Sequence, residues 1–148
     1  MCDTEIVERN KALLISLVEE LNKGSIEFFN ESYTPDFLFY SPSNNPKPLS
    51  LAETQEFMRM VLKAFPDFNL SIEELFAVEE RVIIRYILRG THKGDWHGIP
   101  ATGNKFEISS TFIIRIENGK VVEEIEDFDQ LGFLQQLGME LMPKEGEE

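Results

Sequence analysis

The chain has 148 residues, 42% apolar and 11% aromatic, which suits one globular domain over residues 1–148 with a sizeable core. Its formal net charge is -13, with 27 Asp and Glu against 14 Lys and Arg, so nucleic acid and membrane surfaces are excluded as expected partners. Cys2 is the only cysteine, and the only histidines are His92 and His97, so no intrachain disulfide, no thiolate zinc site and no multi-histidine metal site are expected. The first twenty residues carry acids and no apolar signal core, and no apolar run approaches a membrane span. A cytoplasmic protein is the expectation.

Asp3 or Thr4 can cap a first helix, whose stripe of Ile6, Leu13, Leu14, Leu17, Val18 and Leu21 stops at Gly24. Ser25 to Tyr33 reads as a short second helix ended by Pro35, and Phe37 to Tyr40 as a short strand closing at Ser41-Pro42. SPSNNPKP is a loop by composition. Ser50 and Glu53 make a capping box that opens a third helix through Phe65, with Phe57, Met58, Val61, Leu62 and Phe65 as its buried stripe. Pro66-Asp67 breaks it.

The periodicity then becomes that of strands. Leu70–Val78, Val82–Thr91, Phe106–Ile116 and Val121–Phe128 are the four runs. A last helix is expected over Gln130–Leu141, capped by Asp129, and the tail Glu145, Glu147 and Glu148 reads as solvated. Helices followed by long antiparallel strands indicate an α+β fold. The expected form is a cone: a curved antiparallel β-sheet packed against three N-terminal helices, with a short C-terminal helix. Such a cone can hold a pocket at its wide end.

The acids of the last strand fall on both of its faces, so at least one looks inward unless a bulge or an edge exposes both. The hairpin at Asn118-Gly119 decides which. A two-residue loop pairs Glu117 with Lys120 and puts Ile125 and Asp127 on the face of Phe112. A three-residue loop pairs Ile116 with Lys120 and puts Glu124 and Glu126 there. In both registers Ser110 faces an acid.

Four stretches carry a family resemblance: AFPDF (64–68), RGTHKGDWHGIPATG (89–103), FIIRIENGKVVEE (112–124) and DFDQLGFLQQLG (127–138). In order and spacing the chain resembles the SnoaL-like polyketide cyclases, within the ketosteroid isomerase and nuclear transport factor superfamily. The resemblance implies an Asp on the last strand as general acid and base in an intramolecular aldol closure, without metal or cofactor. That position is Glu126 here, so the family pattern favours the second register. The family's Trp aligns with Ile125, a His found in some members aligns near Phe112, and a His common in relatives aligns with Tyr40.

An inward carboxyl has a raised pKa and can shuttle protons next to a carbonyl. Glu126, with Asp127 as its rival, is therefore the candidate acid–base residue; its bland alternative is a bond to buried backbone or to Arg85. His92 and Tyr40 are candidates to polarise a substrate, or to brace a loop and fill the core. Trp96, His97, Phe112, Ser110 and Phe57 are candidates to line the substrate site. Arg85 and Arg89 are expected to pair with acids on the outer sheet face. Asp129 is read as a cap, Glu123 and Glu124 as solvated or paired.

Two functions follow. One is a cofactor-independent cyclase or isomerase acting on a small hydrophobic carbonyl compound. The other is a non-catalytic ligand-binding or dimerisation module, favoured if Phe112 and Ile125 fill the cone. Ile83, Ile87, Ile113 and Ile125 on the outer face suggest a homodimer with either function.

Overall fold

The computed structural model describes residues 2–41 and 45–145. Part of the SPSNNPKP loop (42–44) and the tail acids Glu147 and Glu148 lie outside the described residues. The order of elements is α1 (Asp3–Asn22), α2 (Phe28–Ser32), β1 (Tyr33–Ser41), β2 (Asn45–Ser50), α3 (Leu51–Ala64), β3 (Asn69–Val78), β4 (Arg81–Thr91), β5 (Lys105–Glu117), β6 (Lys120–Asp127) and α4 (Gln130–Gln136).

The fold is α+β, with helices first, a mostly antiparallel sheet and a short C-terminal helix. The sheet has six strands in the order β2-β1-β6-β5-β4-β3, two more than the four-strand meander expected. β1 pairs with β6 in parallel, so the N-terminal strand closes the sheet beside the last one. The second helix gives way to strand at Tyr33, and Pro35 sits inside β1 where the β1–β6 register shifts, a place that tolerates a missing donor. Asn45 to Pro48, expected as loop, belong to β2.

Local chemistry sets most boundaries. Ser50 and Glu53 complete the capping box of α3. Asp129 Oδ1 accepts from Gly132 N at 2.9 Å and caps α4. That helix stops well short of Leu141 because Gly138 turns left-handed (φ 101). α1 has Cys2 at its N-cap and no side-chain cap, so neither Asp3 nor Thr4 plays that part. At the other end, Asn22 donates to the Leu70 carbonyl (2.9 Å) and accepts from Leu70 N (2.8 Å), docking α1 onto edge strand β3.

The inner sheet face builds the core from Leu70, Ile84, Leu88, Phe106, Ile108, Ile114, Ile116 and Val121. Leu14 and Leu17 of α1, Val61 of α3, Phe65 just beyond it, and Phe133 and Leu137 at the α4 end pack against it. Asp67 accepts from Thr91 N (2.7 Å) and Thr91 Oγ1 (2.6 Å), so the PD and GTH stretches meet as one tie between α3 and β4.

The β5–β6 hairpin follows neither expected register as a whole. Asn118 (φ 51) and Gly119 (φ 78) close a two-residue loop, with Glu117 opposite Lys120. Ile116 then pairs with Val121 but Arg115 with Glu123, so Val122 is an extra residue. This bulge resets the alternation. Beyond it Ile114 pairs with Glu124 and Phe112 with Glu126. The short turn and the inward Glu126 coexist because the strand slips by one residue.

Candidate functional site

The wide end of the cone encloses a cavity of about 550 Å³. Its wall is mostly apolar, with Phe39, Phe57, Phe112 and Trp96 prominent. Two acids of β6, Glu124 and Glu126, enter this apolar space. Their side chains are half-buried, and the exposed part faces the cavity.

Each acid is held by a tyrosine. Tyr86 Oη donates to Glu126 Oε2. Tyr33 Oη donates to Glu124 Oε1 at 2.6 Å. Tyr86 stands on β4, between β5 and the edge strand β3, with no exposed surface, stacked on Phe112 at 5.1 Å. Tyr33 opens β1 inside a cage of Phe29 (4.7 Å) and Phe37 (4.8 Å).

Burial pushes both carboxyls up to about 7; the Tyr86 bond pulls Glu126 back, and the Glu124 and Asp127 charges raise it. The Tyr33 bond likewise pulls Glu124 back. Both phenols are raised well above the ordinary value, first by burial and then by the acid each faces. The tyrosines therefore stay protonated donors, while the carboxyls exchange protons near neutrality.

Trp96, His97, Phe57 and Phe112 line the cavity. A two-residue turn at His97-Gly98, with Trp96 and Ile99 exchanging backbone bonds of 2.9 and 2.8 Å, presents His97 outward and Trp96 inward. Trp96 packs on Phe57 (5.8 Å) and Phe65 (5.4 Å). Gly94 lies so close to α3 that a Cβ there would sit 2.7 Å from the Lys63 carbonyl.

Four candidates do not reach the cavity. His92 is fully buried outside it; its Nδ1 accepts from Thr102 N at 3.3 Å and contacts Thr102 Oγ1 at 3.0 Å. Its backbone pairs with Asn104 and Gly103 at 2.8 Å, so it braces the loop that carries Trp96. Tyr40 alternates with cavity-lining Phe39 and Ser41 and pairs with Ile125, which puts it on the outer face. Asp127 is exposed opposite Thr111, because the bulge turns it out. Ser110 is buried beside Tyr86, but its hydroxyl donates to the Asp127 carbonyl and does not line the cavity.

Sequence reading missed Glu124, Tyr33, Tyr86 and Ser41. Glu124 shares the face of Glu126 by strand period alone, and Tyr86 interrupts the Arg85–Ile87 alternation at an inward position. Ser41 Oγ lies in the cavity wall, buried and without a hydrogen-bond partner among the described residues. Arg85 pairs with Glu74 (3.1 Å) and Arg89 with Glu107 (2.7 Å) on the outer face, as expected, and neither touches Glu126. Among the described residues no cluster of three or more His, Cys, Asp or Glu could hold a metal, and no helix is long and apolar enough to cross a membrane.

A curved six-stranded sheet with helices packed across its inner face and two carboxyls in the cavity defines an α+β fold of the SnoaL-like class. Within it, the chain belongs to the SnoaL-like polyketide cyclase family, whose profile matches residues 12–137. It is 31% identical over 134 residues to aklanonic acid methyl ester cyclase DnrD of Streptomyces peucetius, covering 85% of this chain and 88% of that one. Among solved structures it is similar to AclR of Streptomyces galilaeus, provisionally assigned as a hydroxylase (TM-score 0.81, 30% identity, covering 89% of this chain and 97% of that one). It also shares its fold with IdmH of Streptomyces antibioticus (TM-score 0.76, 24% identity, covering 88% and 99%).

Proposed function

We propose that this chain is a cofactor-independent acid–base enzyme that closes a ring by intramolecular aldol addition in a small, apolar carbonyl compound. The observation that carries the reading is Glu126, held by Tyr86 inside an apolar cavity and titrating near neutral pH. Glu126 Oε2 is occupied by Tyr86. Its other oxygen has no hydrogen-bond partner among the described residues, and the side chain lines the cavity.

That oxygen removes a proton from a carbon next to a carbonyl. The resulting enolate carbon attacks a second carbonyl carbon of the same molecule. A C–C bond forms, the C=O π bond breaks, and the new alkoxide takes the proton back from Glu126. The mass is unchanged. The unpartnered Ser41 hydroxyl belongs to the same wall and is available to a developing oxyanion. His92, Tyr40 and Asp127 take no part.

The competing reading, a pure binding module, was tied to Phe112 and Ile125 filling the cone. Phe112 instead lies along the wall, and Ile125 pairs with Ile113 on the outer face. The similarity to DnrD selects the first compound to try: aklanonic acid methyl ester, with apolar 1,3-diketones beside it, incubated in D2O. The expected result is a product of unchanged mass apart from exchanged deuterium, or deuterium at the acidic carbon, lost in Glu126→Gln. A product heavier by one oxygen would point to hydroxylation. Background rates with every compound would sink the reading.

We also propose a homodimer through the outer sheet face. Phe76, Ile83, Ile113, Ile125 and Tyr40 follow one another in register across five strands, and Phe76 is 56% exposed. Sedimentation as a monomer would refute this.

A further inference from the structure

Glu124 has no part in the reaction just described, yet it is built with the same care as Glu126. The two lie at i and i+2 of β6, with Cα atoms ~7 Å apart along one face. Glu124 Oε1 is committed to Tyr33, its other oxygen has no hydrogen-bond partner among the described residues, and the side chain lines the cavity. Phe39 pairs with Glu124 in the sheet, and Phe112 with Glu126, so an aromatic wall flanks each carboxyl. Tyr33 is fixed by Phe28, Phe29 and Phe37, at 5.9, 4.7 and 4.8 Å.

A buried acid kept only for structure would be expected to use both oxygens in the protein, because each unpaired one costs stability. Here one oxygen is left for something in the cavity, and the tyrosine that would otherwise satisfy it is locked on the other. A carboxylic acid donates to a carbonyl oxygen, and a carboxylate accepts from a hydroxyl. Either form recognises an oxygen on a ligand.

We infer that Tyr33 and Glu124 form a second recognition station, so that the cavity takes an apolar compound bearing oxygens at two separated points, one at Glu126 and one a strand repeat away at Glu124. Glu124 is then a positioning residue that sets which carbon reaches Glu126. The inference rests on the acid–base reading only for the identity of the reacting end.

The test uses fluorescent probes. 2-Naphthol carries one hydroxyl; 2,6-dihydroxynaphthalene carries one at each end of the same rings. In the unmodified protein the diol should bind ~10-fold more tightly than the naphthol, the size of one net hydrogen bond. In Glu124→Leu that ratio should fall to about one, with naphthol affinity changed no more than about twofold. Tyr33→Phe should lower the ratio part way, and it decides the matter if Glu124→Leu fails to fold by circular dichroism. Glu126→Leu should weaken both probes.

A diol preference that survives in Glu124→Leu and Tyr33→Phe, or that is absent from the unmodified protein, overturns the inference. The deuterium experiment is separate. If Glu126→Gln exchanges as fast as the parent while the Glu124 ratio collapses, the reaction reading fails and the recognition station stands. If exchange is lost in Glu126→Gln but the ratio is indifferent to Glu124, the reverse holds.

Discussion

Strand β6 carries four acids, and the sheet divides them between two environments. Glu123 and Asp127 face out, Glu123 within 3.8 Å of Arg115. Glu124 and Glu126 face in, each on a tyrosine. The same contrast runs across the sheet, where Arg85 and Arg89 meet Glu74 and Glu107 outside while Tyr86, between them on β4, points inside. Arginine would fix a buried carboxylate in its charged form and lower its pKa. A phenol satisfies one oxygen without a counter-charge and leaves the proton exchangeable. The inner face thus gives Glu124 and Glu126 a phenol each, and the outer face gives Glu123, Glu74 and Glu107 an arginine.

The sharpest way to break this comparison is to neutralise one acid on each face. Glu126→Gln should lower the rate of cyclisation or exchange by at least ~100-fold, the usual worth of a general base. Asp127→Asn, one residue on but facing water, should stay within about twofold by the same reasoning. Comparable losses from both would show that the face does not matter.

The second effect is on stability against pH. Glu124 and Glu126 titrate near 7 in the folded protein against an ordinary 4.5. The folded state therefore binds these protons more tightly than the unfolded chain. The stability they contribute is complete below pH 4.5 and is lost as pH rises through about 7. In that window each group should lower stability by ~1.4 kcal/mol per pH unit. The overall negative charge also weakens the fold as pH rises, so the readout is a difference. Denaturant titrations from pH 5 to 8 should show a shallower slope in Glu124→Gln/Glu126→Gln, and an unchanged one in Glu123→Gln.

Much of this division was legible in the sequence. The helix-then-strand order, the capping box at Ser50, the cap at Asp129 and the outer Arg–acid pairs follow from period and composition, which act locally. The family pattern also marked Glu126. What stayed hidden depends on contacts across strands. The Val122 bulge leaves no sequence mark, because Val fits either side of a ladder. Without it, a two-residue turn argues for Asp127 inside. The sequence suggests only a short strand at Tyr40 and marks no partner for it; pairing with β6 turns Tyr40 out and Phe39 and Ser41 in. Composition suggests a solvated or paired Glu124, yet strand period sets it beside Glu126, and Tyr33, at the end of the expected second helix, opens β1. His92 marks the family, and its role here is to hold the loop behind the Trp96 wall.

A third change sharpens the role of the phenol. Tyr86→Phe keeps the ring stacked on Phe112 but leaves Glu126 Oε2 without its donor. That hydrogen bond pulls the carboxyl down, so its loss should move the acidic limb of the pH–rate profile to higher pH. At neutral pH the rate should fall about tenfold and recover partly at higher pH, as fewer molecules hold an ionised base. An unshifted profile would mean that Tyr86 only fills space.

The smallest effect belongs to the outer face, and it tests the other half of the comparison. Arg89 Nε lies 2.7 Å from Glu107 Oε1, with both side chains about half exposed. The geometry is good, but water competes for both charges and the long side chains lose freedom by pairing. Arg89→Ala should therefore cost under ~1 kcal/mol, and the cost should shrink in high salt. Tyr86→Phe removes one oxygen from a buried hydrogen bond and should cost more, ~1–3 kcal/mol, because Glu126 Oε2 loses the phenol that satisfies it. That cost should be nearly indifferent to salt. Measured side by side by denaturant unfolding at two ionic strengths, the pair separates a surface that tolerates loss from an interior that does not. A larger, salt-insensitive loss at Arg89 would place it in a protected contact, which is what burial of the outer face in a dimer would produce.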